Sequence, residues 1–360
     1  MIENQSTGEI AWAASTHVVI VGAGPIGLEM AVALRRRGIE FQIFDAGSLG
    51  QTMTWWAPQT RWFSSNERIS IAGIPLQTID QTKATREQYL NYLRAIAIQY
   101  DIRPRSNEPV VNVTRDAEGL TVFSQGRDGP QQTRCRAVVL AIGGTDFPNR
   151  LNIPGEELPH VDGYFREPHR YFGRRVLIIG GRNSAVEAAL RLHHVGAEVV
   201  ISYRGQELPC ESIKYWLLPE IRALCESGRI ESYWHTQPVR ISAQTVTLES
   251  LEDARQFEVA AEEVLALIGY QQDKRLFRSI GIELQGEPLR PLFDPETMQT
   301  NIPGIYVAGT AVGGTQSSRY QIFLENCHSH IDRILTHLIG QRPTKSVPKF
   351  RQQAIAYPES

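Results

Sequence analysis

Residues 17–47 read HVVIVGAGPIGLEMAVALRRRGIEFQIFDAG, and this stretch decides the fold. Val18–Val21 is a short apolar run suited to a buried parallel strand. Ile26, Met30, Ala33 and Leu34 recur at helical spacing, and Gly38 stops the helix. Phe41–Phe44 is the next strand. Between strand and helix stands Gly22-x-Gly24-x-x-Gly27. The first glycine makes a tight turn, the second lets backbone approach a pyrophosphate, and the third lets the helix pack closely on the strand. The helix N-terminus then faces the phosphates. Asp45 closes the second strand, where a carboxylate can bind both hydroxyls of a ribose.

The pattern returns at residues 175–202, RVLIIGGRNSAVEAALRLHHVGAEVVIS. Leu177–Ile179 reads as strand, Ala185–His194 as helix, Gly196 as its stop and Glu198–Ile201 as the next strand. The turn is Gly180-Gly181-Arg182-Asn183-Ser184, with Arg182 in the place of the second glycine. No acid ends the following strand; Ser202-Tyr203-Arg204 stands there instead. A carboxylate would repel a 2′-phosphate and Arg204 would bind one, with Lys214 as a second cation. The second site therefore prefers NADP to NAD, and the first takes a dinucleotide with a free adenosine ribose. Two adjacent dinucleotides suggest FAD and a nicotinamide.

Outward from these units the chain divides in an orderly way. The fold class is α/β, with two Rossmann-like three-layer dinucleotide-binding domains, the NADPH domain inserted into the FAD domain. We expect an FAD-binding domain at 1–160 and 290–340, an NADPH-binding domain at 165–285 and an irregular tail at 341–360. Pro154, Pro159, Gly163 and Pro168 mark one linker, and Pro288, Pro291 and Pro295 the other. AVVLAIGG at 137–144 and IYVAGT at 305–310 read as buried strands with glycine exits. Arg319–Leu338 reads as a long amphipathic helix with its N-terminus aimed at the flavin. Residues 1–15 read as a loose polar extension.

Composition narrows the function. The 360 residues carry 37 Lys+Arg against 39 Asp+Glu, a net charge of −2, so no basic excess exists to bind nucleic acid. No run approaches the ~18 apolar residues of a membrane span, and no secretory signal is expected at the start. Cys135, Cys210, Cys225 and Cys327 form neither a CxxC nor a disulfide framework, which points to a reducing cytoplasm. His193–His194 and His328–His330 lack metal-ligand spacing, so no metal is expected. Trp55, Trp56 and Trp62 cluster after the first unit, to pack in the core, on the flavin or at the substrate site. Arg35–Arg37 reads as a solvated helix end.

Several segments resemble a known family. GGRNSAVEAALRL, YRG, SIKYWLLPEI at 212–221, ALIGYQQDKRLFRSIGIEL at 266–284, DPETMQTNIPGIYVAG at 294–309, IFLENCHSH at 322–330 and FSSNERISIAGIP at 63–75 are similar to the YpdA-type bacillithiol disulfide reductases. These belong to the two-dinucleotide-domain flavoproteins of the thioredoxin-reductase type. The resemblance covers about residues 16–340. It implies FAD at Gly22, Gly24, Pro25, Ile26, Gly27, Asp45, Ala46, Gly143, Gly309, Thr310, Gln321 and Ile322. It implies NADPH at Gly180, Gly181, Arg182, Asn183, Ser184, Arg204 and Lys214. The superfamily carries Asp after the glycine at 309, where this chain has Thr310. The reductases work through a cysteine just before the last glycine of the first turn, and that position is Ile26. The catalytic thiol is thus unassigned, with Cys327 as a candidate.

The expected activity is an NADPH-dependent, FAD-containing oxidoreductase with a disulfide-type or other small-molecule or small-protein acceptor, in a homodimer or higher homo-oligomer. Electron transfer as in ferredoxin–NADP reductases, a flavin monooxygenase and a redox sensor without turnover stand as alternatives.

Overall fold

The computed structural model describes residues 17–315 and 322–340. The first glycine unit forms as read. His17–Val21 pairs in parallel with Glu40–Phe44 on one side and Ala137–Leu140 on the other. Ile305–Val307 extends the sheet beyond Ala137–Leu140, giving the order 305–307, 137–140, 17–21, 40–44. These strands are nearly continuous apolar runs because helices and meanders cover them; Val19, Ile20, Val138, Val139 and Val307 are fully buried. Helix Pro25–Arg35 lies against one face, with Leu28, Met30, Ala31 and Leu34 buried. Helix Arg86–Gln99, opened by a capping box between Thr85 and Gln88, completes the core with Tyr89, Leu93 and Ile96.

The second unit repeats this plan with a five-stranded parallel sheet in the order 231–234, 198–203, 175–179, 263–266, 161–162. Helix Asn183–His194 buries Ala185, Val186, Ala188, Ala189, Leu190 and Leu192 against it. A separate antiparallel meander, Thr236–Ile241, Thr245–Ser250 and Gln256–Ala260, packs on the other face.

The chain crosses between units at one place. Phe147–Pro148 leads out, Tyr270–Gln271 leads back, and the two segments pair antiparallel. This corrects the expected boundaries. The return comes near 271 rather than near 290: Phe277 and Ile282 are buried in the core of the first unit. Pro288, Pro291 and Pro295 therefore mark no linker between units; Arg290–Pro291 pairs with Leu284–Gln285. On the outward side, Leu151, Ile153 and Leu158 already pack on the second unit.

The long helix expected from Arg319 also begins later. A short 3-10 turn occupies Leu324–Asn326, and the α-helix runs His328–Ile339. Arg319, Gln321, residues 1–15 and the tail from 341 lie outside the described residues. No helix among the described residues is long and apolar enough to cross a membrane.

Candidate site for two dinucleotides

The first turn is built by backbone approaching backbone. Gly22 has φ +105°, and a Cβ there would run into the Ala141 carbonyl. A Cβ on Gly27 would run into the Gly22 carbonyl. Gly24 is different: apart from itself and its chain neighbours, no heavy atom lies within 4 Å of where its Cβ would stand. That open space lies at the start of helix Pro25–Arg35, whose N-cap Gly24 offers no side-chain capping bond. The leading N–H groups are thus left for an anion. Asp45 stands beside this turn. Its carboxylate accepts from Ala23 N–H at 2.6 Å and from Gly47 N–H at 2.7 Å. Burial pushes its carboxyl above the usual range, against the pull of those two N–H bonds. Each oxygen keeps a lone pair for a ribose hydroxyl. Ala46, next to it, is exposed.

Three further segments converge on the same end of the sheet. Gly309 presses on the first turn: a Cβ there would stand 3.2–3.3 Å from Ile26 Cβ, Cγ1 and Cγ2. Gly144 approaches the Thr310 carbonyl, where a Cβ would lie 2.9 Å away. Gln272 bonds the carbonyls of Gly143 and Ala311. Gly309 N–H donates to His330 Nδ1 at 3.2 Å, and burial pushes that imidazole down to about 4, so it stays neutral and accepts. Ile322 packs on the first core. The first turn, Gly143, Gly309 and Thr310 are thus brought together. The residues fit an extended FAD, with glycine backbone where the pyrophosphate passes and a carboxylate at the adenosine end.

At the second turn, a Cβ on Gly180 would press on the Leu267 carbonyl, and one on Gly181 would run into the Tyr203 ring. The Tyr203 ring, which fills the space between Gly181 and Gly205, gave no signal in the sequence. Arg182 and Ser184 are exposed at the start of helix Asn183–His194, again with no side-chain cap. Asn183 donates to the Ser212 carbonyl at 2.9 Å and accepts from Lys214 N–H at 2.8 Å, which fastens the segment bearing Lys214 to the turn. Arg204 is exposed at the end of its strand. The residues fit an NADPH with its 2′-phosphate toward cations.

Burial raises the pKa of three of the four thiols. Cys327 is fully buried, its thiol donates to the Phe323 carbonyl at 3.1 Å, and burial drives its pKa far up. This places the candidate Cys327 in the core, where burial disfavours the thiolate. Burial likewise pushes Cys135 up to about 12 and Cys225 up to about 11. Cys210 lies in the second unit, with the Arg222 guanidinium 2.7 Å from its sulfur. No group of His, Cys, Asp and Glu suited to a metal occurs among the described residues.

A seam joins the units across the site. Arg191 on helix Asn183–His194 donates to Thr60 Oγ1 at 2.8 Å and to the Pro58 carbonyl. Lys83 Nζ sits 3.8 Å from the centre of the Trp216 ring. Trp55 meets Tyr164 edge-on at 5.6 Å, so this tryptophan spans the seam. Trp56 and Trp62 pack with Tyr89 on the first core.

Known proteins resemble this chain over most of its length. The family model described as pyridine nucleotide-disulphide oxidoreductase matches residues 19–309. The bacilliredoxin reductase Bdr of Bacillus subtilis is 34% identical over 312 residues, 87% of this chain and 94% of that protein. The bacillithiol disulfide reductase Bdr (YpdA) of Bacillus cereus superposes with a TM-score of 0.84 at 34% identity, covering 91% of this chain and 100% of that one. A ferredoxin–NADP reductase of Ignicoccus hospitalis is 24% identical over 298 residues, 81% of this chain and 88% of that protein.

The two outer glycines of the first turn and the middle one answer differently to a methyl group. Gly27→Ala should lower stability by about 1–3 kcal/mol, the usual range for forced overpacking. Gly24→Ala should leave the denaturation midpoint of the FAD-free protein nearly unchanged and weaken FAD binding. Denaturant unfolding and FAD titration of both variants check this; equal loss of stability in the two would contradict it.

Proposed function

The chain belongs to the pyridine nucleotide-disulphide oxidoreductase family, and on that footing we propose that it passes electrons from NADPH through FAD to a small acceptor of the disulfide class, reduced at the flavin without an enzyme thiol. That it is an NADPH-dependent flavoprotein oxidoreductase follows from its family and its relatives. The disulfide class of acceptor rests on kinship with proteins named as bacilliredoxin and bacillithiol disulfide reductases. The observation that carries the thiol-free step is Ile26, seated against Gly309 where the related reductases are expected to hold cysteine, together with the burial of Cys327.

FAD, when bound, supplies a two-electron carrier between a hydride donor and the acceptor. The protein's part is binding and orientation. Gly22, Gly24, Pro25 and Gly27 would hold the pyrophosphate, and Asp45, with Ala46 beside it, the adenosine ribose. Ile26, Gly143, Gly309, Thr310 and Ile322 would line the riboflavin half. Gly180, Gly181, Arg182, Asn183 and Ser184 would hold the NADPH pyrophosphate, and Arg204 and Lys214 its 2′-phosphate. The FAD domain would be the unit built on residues 17–147 and 272–340, and the NADPH domain the unit between the two crossing strands. The Arg191 and Lys83 contacts would hold the units at a fixed mutual angle while the nicotinamide is brought to the flavin.

A second reading has one observation in its favour. A one-electron protein carrier needs no thiol, and Ile26 suits it as well; the Ignicoccus hospitalis relative carries the name ferredoxin–NADP reductase. Anaerobic stopped-flow mixing separates the two. The NADPH-reduced protein should be reoxidised by a small disulfide faster than by ferredoxin; the reverse order selects the carrier.

Two substitutions probe the assignments. Arg204→Ala should narrow the preference for NADPH over NADH by about tenfold, the magnitude of one lost charge-assisted bond. An unchanged ratio of the two flavin-reduction rates would show that the phosphate is read elsewhere. Ile26→Cys adds a smaller side chain that tolerates burial. It should raise turnover of small disulfides while flavin reduction by NADPH stays the same. No gain in steady-state disulfide reduction would overturn the placement of residue 26 beside the flavin.

A further inference from the structure

Gln272 stands one residue past the crossing strand Tyr270–Gln271, where the chain re-enters the first unit. It is 4% exposed. Its Nε2 donates to the Gly143 carbonyl at 2.9 Å and to the Ala311 carbonyl at 3.0 Å. Both partners can only accept, so the amide has one possible orientation: turned over, its oxygen would face two carbonyl oxygens. Oε1 is therefore fixed in place. It is closed off from solvent and has no hydrogen-bond partner among the described residues. Buried side-chain acceptors are almost always satisfied, so this position is shaped for a donor that the described residues do not supply.

The sheet indicates which donor. Asp45 ends the strand at one edge, 40–44, whereas Gly143 and Ala311 follow the strands 137–140 and 305–307 on the far side of 17–21. At ~4.8 Å between neighbouring strands, Gln272 lies roughly 10–14 Å along the sheet from the Asp45 strand. If the pyrophosphate crosses at the central turn, Gly22–Gly27, and the adenosine reaches Asp45, the other half of FAD extends toward Gln272. That half carries two kinds of donor, the ribityl hydroxyls and the flavin N3–H.

We propose that Gln272 Oε1 accepts a hydrogen bond from the riboflavin half of FAD, which makes Gln272 a positioning residue for the flavin and fastens that half to the crossing between the two units. This rests on the FAD reading above. The opposite end of the same amide, held by Gly143 and Ala311, keeps the oxygen aimed whether or not FAD is bound. Gln272→Met keeps the length and burial of the side chain and removes its polar atoms.

The test uses the full chain freed of FAD. Wild type and Gln272→Met are titrated with FAD, with ADP as a probe of the adenosine half, and with FAD analogues lacking the ribityl 2′, 3′ or 4′ hydroxyl or methylated at N3. Failure of the wild type to bind FAD would strike the FAD reading itself. With wild type binding, the variant should hold FAD about three- to tenfold more weakly, the magnitude of one neutral hydrogen bond, and ADP equally well. One analogue should bind wild type more weakly than FAD does, yet bind the variant as well as FAD does; a deoxy analogue identifies a hydroxyl, the methylated one N3–H. A purely structural role would leave every analogue's penalty the same in both proteins, and that result overturns the proposal. Unchanged FAD affinity, or equal loss for FAD and ADP, overturns it too.

Discussion

The approach of helix Pro25–Arg35 to the end of strand His17–Val21 is the constraint on which the first unit depends. Gly22 and Gly27 touch where no side chain fits, and the Ala141 carbonyl closes the third side. That contact sets the helix N-terminus over the end of the sheet. Pro25 takes the first helical position, where a missing N–H costs nothing. The strand that supplies Gly143 is a parallel neighbour of His17–Val21 and the strand that supplies Gly309 is the next one beyond it, also parallel, so their exits open at the same edge. A doubly wound sheet collects its ligand-facing loops at the carboxyl ends of its strands. The site is therefore a consequence of one tight backbone junction and the parallel register around it.

The second unit solves the same problem with a different neighbour. Gly180 approaches Leu267, and the Tyr203 ring occupies the space that Gly181 and Gly205 leave open. The two units are joined by two short paired segments and by a seam of side chains. Arg191 reaches carbonyl and hydroxyl oxygens of the first unit, and Lys83 lies over Trp216 of the second. Ring contacts, Trp55 with Tyr164 and Phe63 with Trp216, join these polar ones across the seam. A hydride donor and acceptor must be held close and in register for transfer, and these contacts bear on that geometry.

Much of this was legible in the residues because glycine is demanded wherever backbone meets backbone. The two turns, the acid at 45 and the cation at 204 follow from spacing along the chain alone. The crossing was not legible. The prolines at 288–295 suggested a linker, yet the segment from 275 to 293 carries Phe277 and Ile282 into the first core, which a local reading does not reveal. The helix expected from Arg319 is preceded by a tightened turn at Leu324–Asn326, although the apolar period runs through both. The role of Cys327 turned on burial, and burial belongs to the packed whole. Gln272 is a plain polar residue in sequence; only its two carbonyl partners and its unpaired oxygen set it apart.

The central proposal is that the flavin acts as redox centre without a thiol taking part. Anaerobic titration of the FAD-loaded protein with NADPH tests it most directly. The account predicts complete bleaching of the flavin at one equivalent of NADPH per FAD, with the count of free thiols the same before and after. Uptake of a second equivalent, or thiols appearing as the flavin is reduced, would reveal a disulfide acting with the flavin and contradict the account.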